Sequence, residues 1–212
     1  MIRENKKTII LTAIVTLLPI LAGVILWDKL PETMATHFGS GSGADGFSSK
    51  AFAVFGLPLI MLGVHLACAF ITAVDPRKKN ISPKMYSLVL WLAPAISLVT
   101  GGVIYAWNLG YEVKVSYIVQ LLAGVGVLII GNLLPKARQN YTIGIKTPWA
   151  LANEENWNRT HRLAGWLWMA GGLVILILTF CGANPVWLIA VFAVIALVPV
   201  IYSLLLHTQK GL

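Results

Sequence analysis

Charge is scarce in this sequence, and acidic charge scarcest: 8 Asp and Glu stand against 16 Lys and Arg in 212 residues. Only 11% of positions are charged, where a soluble domain carries about 25%. With 58% hydrophobic residues, water is not the chain's main solvent. Cysteine is scarce as well. Cys68 and Cys181 are too few for a disulfide framework, and they read as buried thiols placed toward opposite membrane faces. Also missing are a phosphate loop, a nucleophile elbow, an HExxH helix and any pair of carboxylates inside an apolar run, so catalysis has no positive support. The net charge of +8 does not point to nucleic acid, because the basic residues occupy short gaps between apolar runs rather than one soluble face. No direct nucleic-acid contact, metal or cofactor is expected.

What fills the chain instead is long uncharged runs. A helix crossing a bilayer core needs about 20 apolar residues at about 1.5 Å rise each. Six segments qualify: Ile9 to Trp27, Ala51 to Val74, Ser87 to Trp107, Ser116 to Leu134, Leu163 to Cys181 and Val186 to Leu206, none containing Asp, Glu, Lys or Arg. The first follows a basic start, as a secretory signal does. At 19 residues, and with no small-x-small cleavage site, it reads as a retained helix.

Lys and Arg in the connections set the orientation, since cytoplasmic loops keep the positive excess. Arg3, Lys6, Lys7, Arg77, Lys78, Lys79, Lys84, Lys136, Arg138, Lys146, Arg159, Arg162 and Lys210 fall on one side, Lys29, Lys50 and Lys114 on the other. Thirteen against three predicts both termini in the cytoplasm. The expected fold class is therefore an all-α polytopic membrane protein with six transmembrane helices. It divides at residue 74 into two helices with an outer Gly-rich loop, 28–50, and a four-helix region, 75–212, with a cytoplasmic loop, 135–162.

Proline falls within four runs, at Pro19, Pro58, Pro94 and Pro199, and predicts kinks or a cavity between helices. Ala93, Ser97 and Gly101 recur every fourth residue, a small-residue stripe for close packing. His65 is the one Asp, Glu, Lys, Arg or His inside a run. It reads as a neutral histidine bonded to a neighbouring helix, because a single such residue makes no proton relay. Asn132, at the inner end of the fourth run, reads as interhelical glue.

The two long loops hold what polar character remains. In LPETMATHFGSGSGADGFSSK, His37 and Asp45 are two candidate metal ligands, short of the three or four a zinc site takes. The alternative is a re-entrant cap in which Asp45 makes an Asx-turn and Phe38 and Phe47 dip into the interface. In PKARQNYTIGIKTPWALANEENWNRTHR, basic residues with Trp149 and Trp157 suit an amphipathic segment on an anionic leaflet, or a docking surface for a cytosolic protein. Asn153, Glu154 and Glu155 mark a helix start.

These loops also carry a resemblance. Leu30-Pro31, His37-Phe38, Asp45-Gly46-Phe47, Ser49-Lys50 and Pro58 resemble a domain of unknown function common at the front of SdpI-family proteins. Gly131-Asn132, Pro135-Lys136, Asn140, Gly144-Ile145-Lys146-Thr147-Pro148-Trp149, Trp157 and Thr160-His161-Arg162 resemble that family's defining segment. Lys146 stands where many relatives have arginine, and Ser42 where glycine is usual. The resemblance implies a bacterial immunity protein that protects its cell from a secreted, membrane-active toxic peptide. It further implies a receptor that, when occupied, holds a cytosolic repressor at the membrane. On that basis His37, Phe38, Asp45 and Phe47 form the toxin-facing surface. The cytoplasmic motif comprises Asn132, Pro135, Lys136, Asn140, Gly144, Lys146, Thr147, Pro148, Trp149, Trp157, His161 and Arg162. The competing class is a small transporter or lipid-handling protein built around the prolines, and a membrane enzyme using His37 and Asp45 with a metal is a weaker third.

Overall fold

The structure, a computed structural model, describes residues 1–39 and 41–212, so Ser40 of the glycine-rich run lies outside it. Its helices are α1 (Lys6–Ile25), α2 (Leu57–Ala73), α3 (Pro83–Asn108), α4 (Val115–Leu133), the short α5 (Pro148–Ala152), α6 (Glu154–Phe180) and α7 (Val186–Lys210). All but α5 are long and apolar enough to cross a membrane, α2 with the π-helical turn Phe52–Gly56 that leads into it. The protein is thus a polytopic, predominantly helical membrane protein. Its one sheet among the described residues is an antiparallel hairpin of β1 (Thr33–Phe38) and β2 (Ala44–Ser49), an element that the all-α expectation did not include.

Each helix buries little of itself. In α7 only 17% of the apolar window is buried, which leaves Ile189, Leu197 and Ile201 facing outward as lipid-facing side chains do. Cys68 and Cys181 share this outward orientation, so they are free, exposed thiols and not the buried ones expected. Outside the chain's core there is apolar solvent, and sequence hydrophobicity does not distinguish the two faces.

The chain divides into two compact units, residues 1–74 with 86–115 and residues 75–85 with 116–212. In the first, α3 lies close against α1 along the small-residue stripe. A Cβ on Gly101 would come 2.8 Å from Pro19 Cβ, so only glycine permits the approach. Proline has no N–H to continue the helix ladder, and carbonyls around it take hydroxyls from α3: Ser97 Oγ donates to Thr16 O at 2.8 Å and Tyr105 OH to Pro19 O at 2.8 Å. His65, fully buried in α2, meets Thr12 of α1, Nε2 to Oγ1 at 3.0 Å, which is the interhelical bond expected of it. Leu30, Met34, Val54, Ile104 and Tyr105 form the unit's apolar cluster, with β1 contributing Met34.

In the second unit the backbones of α4 and α6 nearly touch. A Cβ on Gly131 would lie 2.7 Å from Met169 N, and one on Gly172 would lie 2.8 Å from Gly124 O. Val127, Ile175 and Ile195 fill the adjoining core, and Trp168 Nε1 donates to Ile195 O of α7 at 2.8 Å. Helix α6 begins well before its apolar run because Asn153 Oδ1 accepts from Asn156 N at 3.0 Å, with Glu154 and Glu155 in the first turn. Carboxylates there favour the positive end of the helix dipole. Asn132 is exposed, and its Oδ1 faces Lys136 Nζ of its own chain segment at 3.5 Å, so it does not bridge helices as expected.

Candidate functional site

Two loops hold the candidate residues, and each is built differently. The hairpin pairs Thr33 with Ser49, Met34 with Ser48 and Ala35 with Phe47, then slips through a bulge at Thr36 so that His37 meets Gly46. The slip sets His37 Nδ1 against Asp45 Oδ1 at 2.6 Å on the exposed face. Asp45 therefore closes a cross-strand pair and not an Asx-turn. Phe38 turns the other way, its ring edge-on to Trp107 with centroids 5.3 Å apart. Phe47 is 61% exposed. Of the four outer candidates, His37, Asp45 and Phe47 share the open face, and Phe38 anchors the hairpin to α3.

Two residues outside the candidate set hold the hairpin in place. Asn108 at the end of α3 accepts from Ala35 N at 2.8 Å and donates to Ala35 O at 3.0 Å, so its amide imitates a neighbouring strand and seals the β1 edge. No clamp of this kind covers β2 among the described residues. Lys50, nearly buried, closes the base: its Nζ reaches Glu32 at 2.8 Å and Trp27 O at 3.2 Å, above the Trp27 ring. An open hollow of about 390 Å³ lined by Trp107, Gly110, Tyr111, Glu112, Val113 and Lys114 adjoins the same end of α3.

The second loop is a knot. Asn140, fully buried, donates to Arg138 O and Ile143 O at 2.8 and 3.1 Å and accepts from Thr142 N and Ile143 N at 2.9 and 2.6 Å, which satisfies the whole amide. Gly144 follows at φ +122°, a conformation L side chains rarely adopt, and a Cβ there would strike His161 Nε2. His161 accepts from Ile145 N at 2.9 Å through Nε2 and donates from Nδ1 to Trp157 O at 2.8 Å, a pattern only the neutral Nδ1–H ring meets. Trp157, fully buried and stacked on His161 at 3.9 Å, donates from Nε1 to Ala137 O at 2.7 Å. Thr147 caps α5 by accepting from Ala150 N and reaches Ser203 at 3.1 Å, while Trp149 stacks on His207. Pro135 packs against Gly165. This is a folded element with a short helix, where a flat amphipathic segment was one expectation.

The motif residues therefore separate. Asn140, Gly144, Trp157 and His161 lie together in the knot, with Thr147 and Trp149 between it and α7. Lys136, Lys146, Pro148 and Arg162 are exposed, Lys146 donating to Thr142 O at 3.2 Å. The sequence reading omitted Asp75, Asn108, Asn156 and Ser203. Asn156 donates to Ser203 O at 2.9 Å and accepts from Ser203 Oγ at 2.6 Å and Thr160 Oγ1 at 3.1 Å, tying α6 to α7. Its signal was the i, i+4 spacing with Thr160, in register with Trp157 and His161 one residue on.

Comparison with known proteins assigns both loops. Residues 136–203 match the SdpI/YfhL protein family, and residues 14–62 match a domain of unknown function, DUF1648. The Immunity protein SdpI of Bacillus subtilis (strain 168) is 29% identical over 194 residues, 90% of this chain and 89% of that protein. No solved structure matches. The knot and the hairpin each fall in a matched segment, and the likeness to the immunity protein runs through nearly the whole length, so the chain is similar to the SdpI/YfhL protein family in its second half and to DUF1648 in its first.

Proposed function

We propose that this chain is an immunity protein that protects a bacterial cell from a secreted, membrane-active toxic peptide, and that it acts by binding and not by catalysis. The observation that carries the reading is the 29% identity to an immunity protein that extends across 90% of the chain and so includes both loops. The charge asymmetry supports an orientation with the hairpin outside and the knot in the cytoplasm. The hairpin then meets a peptide arriving from outside. His37 and Asp45 offer a polar pair, Phe47 an apolar contact, and β2 an edge that an extended peptide can pair with through its backbone.

The finer part of the proposal is signalling. The toxin-occupied protein recruits a cytosolic repressor through the exposed Lys146 and Arg162 of the knot. That demands two conformations with different affinity for the toxin. The test is expression of the chain in toxin-sensitive cells, scored as survival against a panel of peptides of this class. Survival restored to at least one peptide supports immunity; unchanged killing by all of them overturns it. Recruitment is tested separately by fractionating cells with and without toxin, and a repressor equally membrane-bound in a Lys146→Ala, Arg162→Ala double variant overturns the signalling role alone.

A further inference from the structure

Asp75 is a buried carboxylate, 3% exposed, and the loops of the second unit are folded around it. Its Oδ1 accepts from Arg77 N at 2.7 Å, and its Oδ2 accepts from Tyr141 N at 2.9 Å and Thr142 Oγ1 at 2.5 Å. Asn80 Nδ2 adds a bond to Gln139 O at 2.7 Å. The turn at 75–80 is thereby fastened to the turn at 139–142. Basic residues far apart in sequence are thus carried on joined turns: Arg77, Lys78 and Lys79 on one, Arg138 and Lys146 flanking the other.

Within this patch one cation is conspicuously underused. The Arg77 guanidinium lies over the Tyr141 ring, Cζ 5.0 Å from its centroid, and its buried Nη1 has no hydrogen-bond partner among the described residues. Lys146 Nζ reaches Thr142 O, so Arg77 and Lys146 contact successive residues of one dipeptide, Tyr141–Thr142. The ion pairs among the described residues are Met1 with Glu4, His37 with Asp45, Lys50 with Glu32 and Arg159 with Glu155, and none involves the five cations. Asp75 answers backbone and hydroxyl donors instead. Five cations held together without an anionic partner attract an anion, and an arginine already seated on an aromatic ring has less freedom to lose when it binds one.

The place in the fold selects the anion. Helix α4 ends at Leu133, and Arg138 comes two residues beyond the turn Leu134–Lys136, so the patch lies where a membrane-crossing helix leaves the apolar layer. Half-exposed Tyr141, apolar in its ring and polar at its tip, suits that depth. Basic clusters immediately beyond a membrane-crossing helix suit anionic headgroups. We propose that Arg77, Lys78, Lys79, Arg138 and Lys146 form a binding site for the phosphate of an anionic phospholipid headgroup, with Arg77 on Tyr141 as its anchor. This site stands on the membrane fold alone and does not depend on the immunity reading.

The test is native mass spectrometry of the full chain in neutral detergent, titrated with phosphatidylglycerol, with phosphatidylcholine of the same acyl chains, and with inorganic phosphate. Phosphatidylglycerol should bind about tenfold more tightly than phosphatidylcholine, and the Arg77→Gln, Lys146→Gln double variant should lose about that factor. An Arg162→Gln, Lys210→Gln pair, which removes the same charge elsewhere in the unit, should stay within about twofold of the parent. Tyr141→Leu keeps every charge and should lose a smaller factor, about threefold, which preserves the test should the double variant fail to fold. Equal binding of the two lipids, equal losses in the two charge pairs, or displacement of lipid by an equal concentration of phosphate would each overturn the proposal.

Discussion

The hairpin and the knot both join polar, aromatic and basic residues, yet they place them in opposite ways. In the hairpin the residues proposed for recognition, His37, Asp45 and Phe47, stand exposed, and the structural work falls to Asn108, Lys50 and Phe38. In the knot the most recognisable motif residues turn inward: Asn140, Trp157 and His161 are buried and bond to the loop's own backbone, and partly buried Gly144 packs against His161. Much of a family signature can therefore be architecture. A buried polar group without its partner costs free energy, so such a constellation is kept or lost as a whole.

The comparison breaks most readily at Trp157. Trp157→Ala should cost about 3–5 kcal/mol through lost packing, with the bond to Ala137 O lost as well, measured as thermal unfolding of the detergent-solubilised protein. Tolerance of that change would mean the knot is not a structural centre. Asn140→Ala should cost roughly 2–3 kcal/mol, because it strands carbonyls and N–H groups in the buried turn. Asn108→Ala should cost about 1–2 kcal/mol and should free β1, read as faster amide exchange at Ala35 with the knot's protection unchanged. Smallest in stability is Phe47→Ala, expected within about 0.5 kcal/mol of the parent. That same variant should nevertheless lower survival against the toxin. A Phe47→Ala protein that is destabilised as much as the knot variants, or that protects fully, removes the contrast between the two loops.

Legibility in the sequence differed between the same regions. Long uncharged runs gave the six spans directly, since a lipid-exposed backbone must be helical whatever its neighbours. The stripe of Ala93, Ser97 and Gly101 and the His65 bond were legible because small or polar residues inside an apolar run have few other uses. The hairpin was not. Its second strand carries glycine, serine and aspartate in place of a β-branched alternation, and the pair is held by Asn108 and Lys50, remote in sequence or at the loop's very end. Asn132 and the cysteines were misread for a related reason: position within a run says nothing about which face of the helix a residue takes.

The sequence by itself determined that this chain enters a membrane, how many of its helices are long and apolar enough to cross it and which family its two loops resemble, because transfer of apolar surface and the spacing of motif residues are local properties of the chain. Only the tertiary structure decided which motif residues reach the surface. A buried Asp75 draws Arg77 to Tyr141, and a neutral His161 holds Ile145 N, through contacts that no linear spacing encodes. Hydrogen bonds require direction and proximity, and both exist only once the chain has folded.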